Sequence, residues 1–213
     1  MLRGRLSAFD HFVWPRLVTS GEQHRDHGLN EVDFEILAGL PASGPVAVAF
    51  PASNLGFSEG LVIRVRPTST EAWTGNFQPG ENDHTAVYIH PDGKRLIVIA
   101  GGSDYLVDPR TKELMGQTTD NISFSWEVPE LEIIVFGDHI RFWAEGKDGR
   151  RWTTPRLSWD GFAGICVTGD ILIGKWYSAI DEKWHEFRMD LASGDVADPT
   201  FEADFRRVKR VIE

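Results

Sequence analysis

Residues 91–114 read Pro91-Asp92-Gly93-Lys94-Arg95-Leu96-Ile97-Val98-Ile99-Ala100-Gly101-Gly102-Ser103-Asp104-Tyr105-Leu106-Val107-Asp108-Pro109-Arg110-Thr111-Lys112-Glu113-Leu114. Turn chemistry brackets two short apolar runs. In Pro91-Asp92-Gly93, Asp92 can bond its own backbone and Gly93 accepts positive φ. Leu96–Ala100 is apolar on both faces, as a strand between two packed layers must be. Gly101-Gly102 leads into another strand and not a helix, so it is a tight turn and not a phosphate cradle.

The same grammar runs outward from Ala47 to Val196. Runs rich in Val, Ile, Phe and Trp occur at Leu61–Val65, Thr85–His90, Arg95–Ala100, Tyr105–Val107, Ile122–Val128, Glu132–Phe136, His139–Ala144, Gly161–Val167, Asp170–Tyr177 and Trp184–Asp190. Gly137-Asp138, Lys147-Asp148-Gly149 and Gly169-Asp170 punctuate them. No long stretch of helical period competes; short helices are expected only near the two ends.

A repeat sharpens the architecture. Val107-Asp108-Pro109-Arg110-Thr111-Lys112-Glu113-Leu114 matches Met189-Asp190-Leu191-Ala192-Ser193-Gly194-Asp195-Val196 at an offset of 82 residues. A weaker copy, Val65–Ala72, lies 42 residues before the first, and Glu145–Trp152 falls near the middle position. A period of about 41 residues suits a four-stranded propeller blade. The expected fold is all-β: a small β-propeller-like fold of four or five blades, with a two-sheet sandwich or barrel as the fallback. Residues 1–30 read as a flexible N-terminal extension, 31–200 as the all-β domain, and 201–213 as a basic C-terminal tail.

Composition sets the outer limits. The chain has 213 residues, 22 Lys and Arg against 32 Asp and Glu, and a net charge of −10. Chains of this size bury roughly 70% of their unfolded surface, enough to fold without disulfides or metal. The acidic balance argues against nucleic-acid binding, which needs a positive footprint. Arg206, Arg207, Lys209 and Arg210 are the local exception, read as a solvated terminal cluster. No apolar run approaches a membrane span, and Met1–Leu17 lacks a signal-peptide core. Cys166 is the sole cysteine, so no intrachain bridge is possible; its setting, Gly164-Ile165-Cys166-Val167, reads as a small buried hydrophobe. These features point to a soluble cytoplasmic protein.

Two resemblances follow. Pro91–Val98 with Val107–Leu114 resembles one blade of the TolB, YVTN and lactonase-like β-propellers, over about 25 residues. That likeness implies architecture, since propellers host many functions. Second, Trp73-Thr74-Gly75-Asn76-Phe77, His90-Pro91-Asp92-Gly93, Ala100-Gly101-Gly102, Val107-Asp108-Pro109 and Leu157-Ser158-Trp159-Asp160-Gly161 resemble, in that order, a family of uncharacterised bacterial proteins. This likeness runs from about Asp33 to Val196, implies a bacterial source, and carries over no catalytic residue.

Catalytic signatures are missing: there is no nucleophile elbow, P-loop, paired-His zinc motif or dinucleotide fingerprint. No catalytic residue, metal or cofactor is expected. His24-Arg25-Asp26-His27 has ligand-type residues but reads as a solvated turn. The tryptophans are the better lead, with 8 in the chain and five between Trp143 and Trp184. Strand phase puts Trp184 with Glu186 and Arg188, opposite Phe187 and Met189. It puts Trp143 with His139 and Arg141. An aromatic on a polar face suits a sugar, a base or a protein partner. Trp73, beside Asn76 in a loop-like stretch, is a third candidate. The candidate ligand-binding residues are therefore Trp73, Asn76, Arg141, Trp143 and Trp184.

The expected function is a binding or interaction module that contacts a protein partner through an aromatic face or groove. A small molecule or carbohydrate is the lesser expectation, and neither nucleic acid nor membrane is expected. The alternative is a hydrolase of lactonase-like or glycan-acting propeller type. That reading requires Asp83, His84, His90, Asp138 and His139 to converge in one pocket.

Overall fold

The computed structural model describes residues 31–52, 58–117 and 121–197. The extension, with its His24–His27 cluster, and the basic tail lie outside them. Fifteen strands occur among the described residues. They are β1 (Val32–Ile36), β2 (Val48–Phe50), β3 (Leu61–Pro67), β4 (Trp73–Phe77), β5 (Ala86–Ile89), β6 (Leu96–Ala100), β7 (Ser103–Asp108) and β8 (Glu113–Gly116). Then come β9 (Phe124–Val128), β10 (Ile133–Gly137), β11 (Phe142–Gly146), β12 (Gly149–Thr153), β13 (Phe162–Thr168), β14 (Ile171–Ser178) and β15 (Lys183–Asp190).

The strands form four sheets, which excludes the two-sheet fallback. The first is ordered β1-β3-β4-β2, with β2 parallel to β4. The second is the meander β5-β6-β7-β8 and the third the meander β9-β10-β11-β12. The fourth is β13-β14-β15, and a bridge from Met189 to Val196 begins a further strand beside it. The chain is thus all-β and propeller-like: small sheets follow one another along the sequence and pack face to face.

Alternation explains the packing. Leu96, Val98 and Ala100 of β6 join the core against the first sheet, while Ile97 and Ile99 join the core against the third. On β10, Ile134 and Phe136 face the second sheet, and Ile133 and Val135 face the fourth. Both strands are buried throughout because each is the middle of a three-layer contact. That is why neither shows a polar face in the sequence.

The repeat is structural. Asp108 and Asp190 both follow the outer part of a sheet into a turn. Asp108 Oδ1 accepts from the Arg110 and Thr111 amides at 2.8 and 3.3 Å. Asp190 Oδ1 accepts from Ala192 and Ser193 at 2.8 and 3.0 Å. The middle position, Glu145–Trp152, is the β11–β12 hairpin of the intervening sheet. A second recurrence was not visible in the residues alone. Trp73 Nε1 donates to the Pro109 carbonyl at 2.8 Å, and Trp152 Nε1 donates to the Leu191 carbonyl at 2.9 Å. In both, an indole of one sheet is tied to the residue just after the turn aspartate of the next.

Three expectations are corrected here. Trp73 lies in strand β4, not in a loop. Strands β8 and β12 are additional, exposed outer strands: β12 carries Arg150 and Arg151 in place of an apolar run, and β8 is only four residues long with Leu114 and Met115 at the surface. Cys166 is exposed, because the bulge between Ala163 and Cys166 re-phases β13. No described helix is long and apolar enough to cross a membrane.

Candidate functional site

Two features stand out: a cleft between the second and third sheets, and the uncovered face of the fourth. The cleft encloses about 140 Å³. Its floor is Ile97, Leu106, Ile122, Phe136 and Trp143, and its polar wall is His90, Arg95, Asp104 and Glu145. Alternation puts these residues there: Ile97 and Leu106 are register partners on one side, and Phe136 and Trp143 on the other. Phe136 and Trp143 stack at 5.9 Å.

Hairpin turns place the polar wall. His90 and Arg95 flank the Pro91-Asp92-Gly93 turn, joined by the His90 amide on the Arg95 carbonyl at 2.8 Å. Asp92 Oδ2 accepts from Arg95 Nε at 2.6 Å, and Asp92 Oδ1 from the Lys94 and Arg95 amides. Burial would raise the Asp92 carboxyl, but these donors outweigh it and hold it below the usual range. Burial lowers His90; the Asp92 carboxylate opposes this and the Arg95 cation assists it. Glu145 and Arg150 face each other across the β11–β12 hairpin at 2.5 Å. The Arg150 guanidinium lies 5.4 Å from the Trp143 ring centroid.

The fourth sheet has one inward face, with Leu172, Trp176, Phe187 and Met189 against the third sheet. His185 also turns inward and stacks on Trp176 at 4.8 Å. The outward face carries Ile173, Lys175 and Tyr177 on β14 and Trp184, Glu186 and Arg188 on β15. Trp184 is 47% exposed and Ile173 45%. Tyr177 meets Trp184 edge-on at 5.4 Å. Lys175 and Glu186 stand 3.8 Å apart.

The sequence candidates therefore separate. Trp73 and Asn76 are both buried. Asn76 Oδ1 accepts from the Gly60 amide at 2.8 Å and its Nδ2 donates to the Ser58 carbonyl at 2.9 Å. Trp73 is held by Pro109, so both are spent on the fold. Trp143 is 4% exposed; the polar phase with His139 and Arg141 breaks because β11 begins only at Phe142 and the second sheet covers the ring. Arg141 is half-exposed and stands 3.5 Å from Asp138. Trp184 alone of the three tryptophans is open to solvent. Glu145, Arg150, His90 and Arg95 were findable as the residues flanking predicted hairpin turns, where cross-strand partners must meet. Ile173 was findable from the phase of Trp184.

The residues of the hydrolase alternative do not converge. Asp138 Oδ1 accepts from the Ile140 and Arg141 amides at 2.7 and 2.8 Å. His139 Nδ1 meets Asn121 at 3.2 Å. Asp83 is exposed, and His90 lines the cleft. His84 Nε2 lies 2.8 Å from Ser125 Oγ, which Tyr88 OH also meets at 2.9 Å. Burial pushes the His84 imidazole down to about 4. Among the described residues, no group of three or more His, Cys, Asp or Glu is placed to hold a metal ion.

No protein-family model matches the chain. No curated protein matches it at significance. Among solved structures, it is similar to one described as dihydro-heme d1 dehydrogenase NirN in complex with DHE. That match has 13% identity and a TM-score of 0.44, and covers 64% of this chain and 32% of that one. It is also similar to a eukaryotic initiation factor, at 10% identity and a TM-score of 0.36, over 64% of this chain and 39% of that one. The chain thus matches less than half the length of either protein.

Proposed function

We propose that the chain is a binding module whose outward face on the fourth sheet contacts a protein partner. The observation that supports this is the exposure of Trp184 and Ile173 together on one regular sheet face. A tryptophan in water forfeits a large apolar area, and burying such a ring commonly dominates an interface. Tyr177 braces the ring, so little side-chain freedom remains to be lost on docking. Lys175 and Arg188 border it against the single carboxylate of Glu186. The partner surface that fits is an apolar centre with carboxylates at its rim. The chain as a whole is acidic, but this face is not.

The test is site-specific photo-crosslinking in the native host. A benzophenone side chain at Ile173 should give a defined protein adduct, and one at exposed Met115 of β8 should not. Trp184→Ala should abolish the Ile173 adduct without lowering thermal stability. Equal adducts at both positions, or an adduct that survives Trp184→Ala, would reject this face.

A second reading, hydrolysis, has one observation in its favour: the 2.8 Å contact of neutral His84 with Ser125. A base beside a hydroxyl is the first requirement of a serine nucleophile. Labelling of the native chain by a fluorophosphonate, lost in Ser125→Ala, would favour it. An unlabelled chain would leave His84, Ser125 and Tyr88 as a part-buried bridge between the second and third sheets.

A further inference from the structure

The cleft between the second and third sheets is a second candidate site, separate from the outward face of the fourth. We infer that it takes up a small uncharged molecule bearing one aromatic ring.

Size and shape come first. A space of about 140 Å³ matches a single six-membered ring; an apolar cavity of about 150 Å³ takes up benzene. The floor is Ile97, Leu106, Ile122, Phe136 and Trp143. Phe136 and Trp143 stack at 5.9 Å with their planes 24° apart, which gives a ring an aromatic wall to lie against. A water held there needs several polar partners, and a largely hydrocarbon floor supplies few. Water so placed is displaced by an apolar group at a gain in affinity.

Charge compensation decides the class of ligand. The polar groups of the wall already serve one another. Arg95 Nε donates to Asp92 Oδ2 at 2.6 Å. His90 Nδ1 accepts from the Asp92 amide at 3.1 Å, and burial favours the uncharged imidazole. Glu145 is held at 2.5 Å by Arg150, which does not line the cleft. Asp104 has an interaction of its own. Among the described residues, the wall therefore keeps no spare cation or carboxylate to meet an ionic ligand. A charged group entering would lose its hydration without gaining a counterion. An uncharged ring gives up only the ordering of water along its own apolar surface.

The probe is benzyl alcohol, with benzylamine and benzoate as cationic and anionic rings of the same size, titrated against the full chain by amide chemical-shift mapping. Benzyl alcohol should bind in about the millimolar range, with shifts centred on Ile97, Leu106, Ile122, Phe136 and Trp143. Benzylamine and benzoate should each bind about tenfold more weakly. Leu106 is only partly buried, so Leu106→Trp can turn a larger side chain into the space and should abolish binding. Circular dichroism checks that the variant folds; if it does not, the shift map and the two charged rings decide alone. The inference is overturned if benzyl alcohol does not bind, if its shifts centre on Ile173 and Trp184 instead, if either charged ring binds as tightly, or if binding survives in folded Leu106→Trp.

Discussion

Asp92, Asp108, Asp138 and Asp190 turn their carboxylates back onto two amides each, in four different interstrand turns. Charge-assisted bonds of this kind are worth more than neutral ones, and losing one partner strands the other. Asp138→Ala should cost about 1–3 kcal/mol in urea unfolding, while Asp83→Asn, at an exposed side chain, should stay within about 0.5 kcal/mol. Protonation is the same perturbation made reversible. Asp92 and Asp108 are each raised by burial and lowered further by their donors, so their folded carboxyls titrate below the usual range. A depressed carboxyl stabilises the fold above its unfolded pKa, and this is lost as pH falls through the folded value. His84 acts earlier. Its folded pKa is about 4, so the unfolded chain binds more protons between pH 6.5 and 4, and stability falls with pH across that window. The midpoint of thermal unfolding should drop between pH 6.5 and 4, and His84→Gln should flatten the drop.

At the scale of the element, β6 and β10 are walls shared by two cores, whereas β14 and β15 serve only one. Ile99 is fully buried and Ile173 is not. Ile99→Ala should cost about 2–5 kcal/mol and Ile173→Ala less than about 0.5 kcal/mol, both read from chemical denaturation. The same distinction governs how much could be read beforehand. Leu96–Ala100 announced a two-sided strand because every position is apolar. Trp184 declared its outward phase because Phe187 and Met189 fixed the inward one. Trp143 misled, because period-two reasoning assigns a side chain to a face but cannot say whether another sheet covers it. The bulge at Cys166 misled for a different reason: one extra residue reverses every face that follows. The polar wall of the cleft was half legible, since turns bring their flanking residues together, but which two sheets would enclose the space depended on the packing of distant strands.

At the scale of the molecule, the tryptophan excess divides into jobs. Trp73 and Trp152 donate across to the next sheet's turn, Trp143 and Trp176 fill interlayer cores, and Trp184 faces out. Trp73→Phe keeps most of the apolar volume but removes the indole donor to Pro109. It should cost about 1–2 kcal/mol, and a full Trp73→Ala truncation about 3–5 kcal/mol, by the same measurement. The offset of 82 residues was legible because the Asp turn recurs in side chains. The indole staple was not, because its acceptor is a backbone carbonyl that any residue could supply.

Among the described residues, each of the three buried clusters joins only two sheets, and always two that follow one another in the chain. Such a molecule behaves as a short linear array in which every unit is coupled to its immediate neighbours. Opening then costs least at the ends, where a unit has one neighbour to leave, and most in the middle, where it has two. Amide exchange should show this as a gradient, slowest on β6 and β10 and fastest on β1 and β15. Trp184 sits at that terminus, one core away from the third sheet and two from the second, so docking on its face should slow exchange on β14 and β15 and leave β6 unchanged.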